Sequence, residues 1–174
     1  MLLGIYFSSY EIGLFSAPFK IVVTVCSAGF LIPMAFYPVF SEMYHNDKEN
    51  FRKTYKKFQI IMIVLGFPVA IFGTIFSDEI IKLLLGDQYL KSIAVFKIIV
   101  WLVPLYFLRF TYGSLLFVIG KQVFYTVIGT IAIIIFCVGF LFTRHEGLIG
   151  LSILLLISDS LIVILLAYFF YKRT

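Results

Sequence analysis

Apolar residues run through the chain in five long blocks separated by short polar segments, and this alternation predicts its elements. The blocks lie at about 18–40, 58–76, 93–119, 123–142 and 148–171. Each is near or above the roughly 20 residues that a helix needs to cross a bilayer. None alternates apolar and polar residues with period two, so the spans are expected to be helices and not strands of a barrel. Pro18 opens the first block, with Pro33 and Pro38 in its second half, and the third block is long enough to be tilted or broken. Gly120-Lys121-Gln122 forms a tight turn into the fourth block, and Thr143 to Gly147 turns into the fifth. Residues 1–17 read as the tail of a helix whose beginning is missing, Met1–Phe7, and a linker. That start has no basic segment of the kind that opens a signal peptide.

Two polar segments carry helical patterns of their own. In Asn46–Lys57, Asn46 is the expected N-cap with Glu49 three residues on, and Phe51, Tyr55 and Phe58 recur at helical spacing. Arg52, Lys53, Lys56 and Lys57 flank that stripe. The pattern predicts a helix lying on the anionic inner leaflet before the chain enters the membrane. In Asp78–Leu85, Ile80, Ile81, Leu83, Leu84 and Leu85 predict a short interfacial helix on the other side, with Gly86 as its stop. Both segments also read more simply as helices that join consecutive spans.

Composition agrees with lipid as the main solvent. The 174 residues are 62% hydrophobic and 13% charged, with a mean hydropathy of +1.08; soluble domains average roughly 45–50% and about 25%. A soluble globular enzyme and a disordered tail are both excluded, and five spans with short loops leave no room for an extramembrane catalytic domain. The expected fold class is an all-α integral membrane protein, with about five full transmembrane helices plus the end of a sixth. Cys26 and Cys137 lie inside apolar blocks and read as small core residues.

The net charge of +5 reflects topology and not nucleic acid. One side would hold Lys48, Arg52, Lys53, Lys56, Lys57, Lys121, Lys172 and Arg173; the other would hold Lys20, Lys82, Lys91 and Arg144. Positive-inside bias therefore puts the C-terminus and the 41–57 segment in the cytoplasm of a cell membrane protein.

Charged groups within lipid are costly and need a reason. Lys97, about one turn from the outer end of the third span, either snorkels to the headgroups or faces a cavity. Arg109, near mid-span, should face protein or a water-filled cavity. There it could bind an anion such as phosphate through its fork of donors, or form a structural ion pair with Asp159 if the two spans align. Asp159, between Ser158 and Ser160, reads as a protonatable ion-coupling site or a hydrogen-bonded structural residue. Pro33, Pro68 (with Gly66) and Pro104 suggest helix bends of the kind found along transporter paths. The motifs of nucleotide hydrolysis, zinc proteolysis and serine hydrolysis are missing, and His45 and His145 fall on opposite sides. The reading is therefore not an enzyme, with no catalytic residues, no metal and no cofactor.

Several segments in order resemble one family. They are Glu11-Ile12-Gly13-Leu14-Phe15-Ser16-Ala17-Pro18-Phe19-Lys20-Ile21, Ile32-Pro33-Met34-Ala35-Phe36-Tyr37-Pro38-Val39-Phe40-Ser41, and Ile80 to Tyr89 (IIKLLLGDQY). Trp101-Leu102-Val103-Pro104, Gly113-Ser114-Leu115-Leu116 and Gly120-Lys121-Gln122 follow. The set resembles the polysaccharide (O-antigen-type, lipid-linked oligosaccharide) flippases of the multidrug/oligosaccharidyl-lipid/polysaccharide exporter superfamily, over nearly the whole chain. The resemblance implies that residues 18–174 are the C-terminal lobe of a twelve- to fourteen-helix flippase. Its partners would be membrane lipids, a missing N-terminal lobe and a polyprenyl-diphosphate-linked oligosaccharide moved by alternating access, with cationic cavity residues attracting the diphosphate. Arg109 departs from the family pattern, where an uncharged polar residue is expected. The alternatives are a multidrug-type exporter lobe of the same superfamily, or a non-transporting membrane scaffold or subunit.

Overall fold

The computed structural model describes residues 6–173, with the side chains of 144 and 171–173 outside the description. The described residues are all-helical. Helix α1 (Ser9–Asn46), α2 (Lys48–Ile75) and α3 (Ser77–Leu85) are followed by a 3-10 turn (Asp87–Ser92), α4 (Ile93–Ile99) and α5 (Leu102–Val118). Then come α6 (Gln122–Thr143), a second 3-10 turn (Arg144–Glu146) and α7 (Gly147–Arg173). Four helices, α1, α2, α6 and α7, are long and apolar enough to cross a membrane. A fifth span forms if Asp87–Ile99 and Leu102–Val118, bent by 43°, are taken together. The architecture is that of a multi-pass membrane protein.

Helix α5 stands at the centre, packed against α1, α2 and α7, while α6 leans on α7 at the edge. In α7, 44% of the most apolar stretch is buried, against 17% in α6. The remaining surface of the spans is apolar, from Phe30 and Met34 on α1 to Ile61 and Val64 on α2, as a lipid solvent requires.

Helix α1 begins earlier than the apolar block suggests. Ser8 and Glu11 form a capping box: the Glu11 N–H donates to Ser8 Oγ (3.3 Å) and the Ser8 N–H to Glu11 Oε2 (2.9 Å). These reciprocal bonds start the helix at Ser9, so Pro18 is a buried interior residue and not the first of the span. At 38 residues the helix is about 57 Å long, well over the roughly 30 Å of hydrocarbon, and it overhangs the bilayer. The reading of residues 1–7 as the end of another helix falls largely outside the described residues.

The polar segment after α1 is a hairpin of two helices joined by one residue. Asp47, and not Asn46, caps α2: its Oδ1 accepts from the Asn50 N–H (3.0 Å). Phe51, Tyr55 and Phe58 are buried and turn towards protein instead of lipid. Phe40 stands edge-on to Tyr55 (5.5 Å) and Phe58 (5.1 Å), Tyr44 meets Phe51 (5.3 Å), and Tyr55 meets Phe170 of α7 (5.5 Å). Aromatic partners on α1 and α7 give this stripe more specific packing than a leaflet could, so the helix runs straight on into its span. Arg52, Lys53, Lys56 and Lys57 remain exposed.

The third block breaks at Val100–Trp101. Pro104 has no N–H to offer the Val100 carbonyl, which instead accepts from Val103 (3.0 Å), while Trp101 donates to Ile98 (3.2 Å). By contrast, α1 and α2 remain single helices through Pro33 and Pro68. Gly66, expected to help bend α2, lets it approach: a Cβ there would lie 2.8 Å from Pro104 Cα. A Cβ on Gly73, two turns along the same face, would lie 2.6 Å from Val100 Cγ2. Buried Ala70 lies between them, so a stripe of small residues seats α2 on the break. Gly86 ends α3 as expected, with φ 87° and its N–H on the Ile81 and Lys82 carbonyls.

Candidate functional site

Arg109 and Asp159 meet at the interface of α5 and α7. Arg109 Nη1 donates to Asp159 Oδ1 at 2.7 Å, with 24% of the arginine and 8% of the aspartate side chain exposed. The two spans do align, and the ion pair is formed. Arg109 Cζ lies 5.7 Å from the centre of the Tyr106 ring, and Tyr125 of α6 also faces the guanidinium. Ser158 and Ser160 take no part, because each hydroxyl donates to its own helix, at Leu154 and Leu156. The hydrogen bond to Asp159 comes from Arg109.

The guanidinium is not fully used. Arg109 Nε is buried with no hydrogen-bond acceptor, and an unsatisfied donor within a low-dielectric interior costs free energy. One edge of the fork therefore retains a donor while Nη1 holds the aspartate. A guanidinium forms its strongest hydrogen bonds to anionic oxygens, of carboxylate or phosphate.

Beside the pair is an apolar cavity of about 480 Å³ between α1, α5 and α6. Phe30, Pro33, Met34 and Tyr37 form one wall, Phe110, Gly113, Ser114 and Phe117 a second, and Tyr125 closes the third. Tyr125 thus borders both the cavity and the ion pair. Gly113 admits its ring: a Cβ there would lie 3.2 Å from Tyr125 Cε2. Ser114 of its lining belongs to a polar cluster that ties α2 to α5. The fully buried Tyr55 donates its hydroxyl to the Thr111 carbonyl, which also accepts from Ser114 Oγ (2.8 Å).

The family comparison adds the class. A family model described as "Polysaccharide biosynthesis protein" matches residues 1–94. The chain belongs to this family. No curated protein and no solved structure gives a match. The matched segment takes in α1, α2, α3 and the start of α4. Arg109 and Asp159 lie in the half beyond it.

Other residues singled out in the sequence are dispersed. Lys97 is exposed at the far end of the bundle, where its Nζ lies 3.5 Å from Asp78 Oδ2 of α3; it borders neither Arg109 nor the aromatic cavity. Pro33 lines that cavity, Pro104 abuts Gly66, and Pro68 lies in α2 near the same crossing. Lys53 is paired with Glu49 (2.8 Å). Cys26 is buried and Cys137 half-buried, both as free thiols. Among the described residues, no group of three His, Cys, Asp or Glu side chains is placed to hold a metal ion.

Tyr125 and Tyr55 were not among the residues singled out for chemistry. Tyr55 sits in the aromatic stripe, where its ring is legible and its hydroxyl's partner, 56 residues away, is not. Tyr125 sits in an apolar run with no pattern that marks it. Its part arises from Gly113, a small residue on another helix.

Proposed function

We propose that this protein is a lobe of a transporter that moves a lipid-linked oligosaccharide, a polysaccharide precursor, across the cytoplasmic membrane by alternating access and without covalent chemistry. The observation that carries the reading is the half-buried Arg109, paired to Asp159 and keeping an unused donor, with Tyr125 linking the pair to an aromatic cavity. Membership of the polysaccharide biosynthesis family supports a substrate of that class. In this scheme a polyprenyl diphosphate takes the place of Asp159 on the guanidinium, while the aromatic walls accommodate its apolar and sugar parts. Released from Arg109, Asp159 can take up a proton, which would couple the exchange to an ion gradient. The 41–57 segment and the C-terminus face the cytoplasm, as the basic residues favour.

The test is made at the native gene in the host cell. Arg109→Ala and Asp159→Asn are each expected to lower surface-polysaccharide output at least tenfold and to raise the pool of lipid-linked precursor. Wild-type output from both variants would remove the pair from the mechanism. Unchanged output on deletion of the whole gene would sink the transport reading itself.

The apolar character of the cavity favours one second reading, a multidrug-type exporter lobe. In that case deletion would sensitise cells to lipophilic cations and leave polysaccharide output alone.

A further inference from the structure

A second cavity, of about 450 Å³, opens at the end of the bundle where α1 stops, α2 and α6 begin, and α7 finishes. Three cations line it: Lys48 and Arg52 from the first turns of α2, and Lys121 from the turn before α6. Its inner wall is apolar, with Phe51 and Phe170 buried and Leu115 of α5 beneath. Among the described residues the carboxylate on its rim is Glu49, which is occupied by Lys53 at 2.8 Å. Among the described residues no carboxylate lies within ion-pair distance of Lys48, Arg52 or Lys121. Lys48 and Lys121 lie over aromatic rings instead, 5.6 Å from the centre of Tyr44 and 5.4 Å from that of Phe169.

Three uncompensated cations around one hollow ask for an anion, and the hollow's place narrows which. It lies where the apolar stretches of the helices give way to polar ends, which would set it at the depth of lipid headgroups, and its inner wall is apolar. Basic pockets between transmembrane helices hold anionic lipid heads in this way. We propose that the pocket of Lys48, Arg52 and Lys121 binds the phosphate headgroup of an anionic membrane phospholipid, whose acyl chains lie against the apolar wall. Arg52 supplies the planar fork and the two lysines point charges. The site is distinct from Arg109, and it stands whether or not the transport reading does.

The experiment titrates a fluorescent phosphatidylglycerol, and in parallel a phosphatidylcholine, onto the full chain in a neutral detergent. Wild type is expected to prefer phosphatidylglycerol at least tenfold. Arg52→Gln with Lys121→Gln should weaken phosphatidylglycerol roughly thirtyfold, about fivefold for each cation removed, and leave phosphatidylcholine unchanged. Lys56→Gln with Lys57→Gln removes the same charge from exposed positions of the same helix end and should change binding less than twofold. Gel filtration checks folding; should the double variant aggregate, the single variants Arg52→Gln and Lys121→Gln should each show a few-fold loss. Equal losses in the two pairs would mean diffuse surface charge and overturn the site. So would wild type without a headgroup preference. Inorganic phosphate binding as tightly as the lipid, and displacing it, would make this a site for the free anion and overturn the lipid assignment.

Discussion

Arg109 and Asp159 show how one residue pair can be both a structural and a chemical feature. Removing one partner of a buried pair strands the other charge and typically costs about 3–5 kcal/mol, whereas replacing both by apolar residues is often close to neutral. Arg109→Ala is therefore expected to lower the unfolding temperature in detergent markedly. Arg109→Met with Asp159→Leu should melt near wild type. Calorimetry or a dye-free thermal scan reads both. A double variant that is stable yet fails to support polysaccharide output would separate the chemistry of the pair from its part in the fold; one as unstable as the single would show the pair to be a packing requirement. The sequence placed these two charges within spans and left their meeting conditional on alignment. What it could not reveal was the idle Nε, which depends on where Tyr106 and Tyr125 stand.

At the scale of elements, the α2–α5 crossing depends on absent side chains. A Cβ on Gly66 would meet the backbone of Pro104 at 2.8 Å, and backbone cannot swing aside as a side chain can. Gly66→Ala should destabilise by about 1–3 kcal/mol through overpacking. Gly129→Ala on α6 has open space around its new methyl and removes a flexible residue from a helix, so it should be neutral or stabilising by up to about 1 kcal/mol. Thermal melts of the two variants side by side check this, and a Gly66→Ala melt at the wild-type temperature would sink the account of the crossing. Gly66 and Pro68 read in sequence as a bend because they lie close together in one helix. The stripe from Gly66 through Ala70 to Gly73 has helical spacing and was equally visible. Its partner, the break before Pro104, becomes adjacent only on folding.

For the whole molecule, the helix count decides whether two ends share a side of the membrane, and the proposed orientation rests on the basic residues. Exposed Lys57 and Gln122 belong to the same end of the bundle, near the second cavity, and exposed Lys91 to the other. With an impermeant maleimide on intact cells, Lys91→Cys should be labelled from outside. Lys57→Cys and Gln122→Cys should react only after permeabilisation. Buried Cys26 and half-buried Cys137 set the background. Labelling of Gln122→Cys together with Lys91→Cys would make the bent pair of α4 and α5 a re-entrant loop instead of a span.

The sequence by itself determined the solvent, the helical class and the approximate spans, because hydrophobicity and length are properties of a segment alone. It also carried the signals for Gly86 as a helix stop and for the turn at Gly120, where φ is 70°; both are local backbone demands. The Ser8–Glu11 box was equally local, yet it lay outside the apolar block that drew the first boundary. Tertiary structure decided the direction of the Phe51, Tyr55 and Phe58 stripe, since an apolar face can satisfy itself against lipid or protein and only the presence of Phe40, Tyr44 and Phe170 selects between them. It likewise decided which cations share a pocket. Arg52 and Lys121 stand far apart in the chain, and the pairing of helix ends that joins them depends on how α5 packs among α1, α2 and α7.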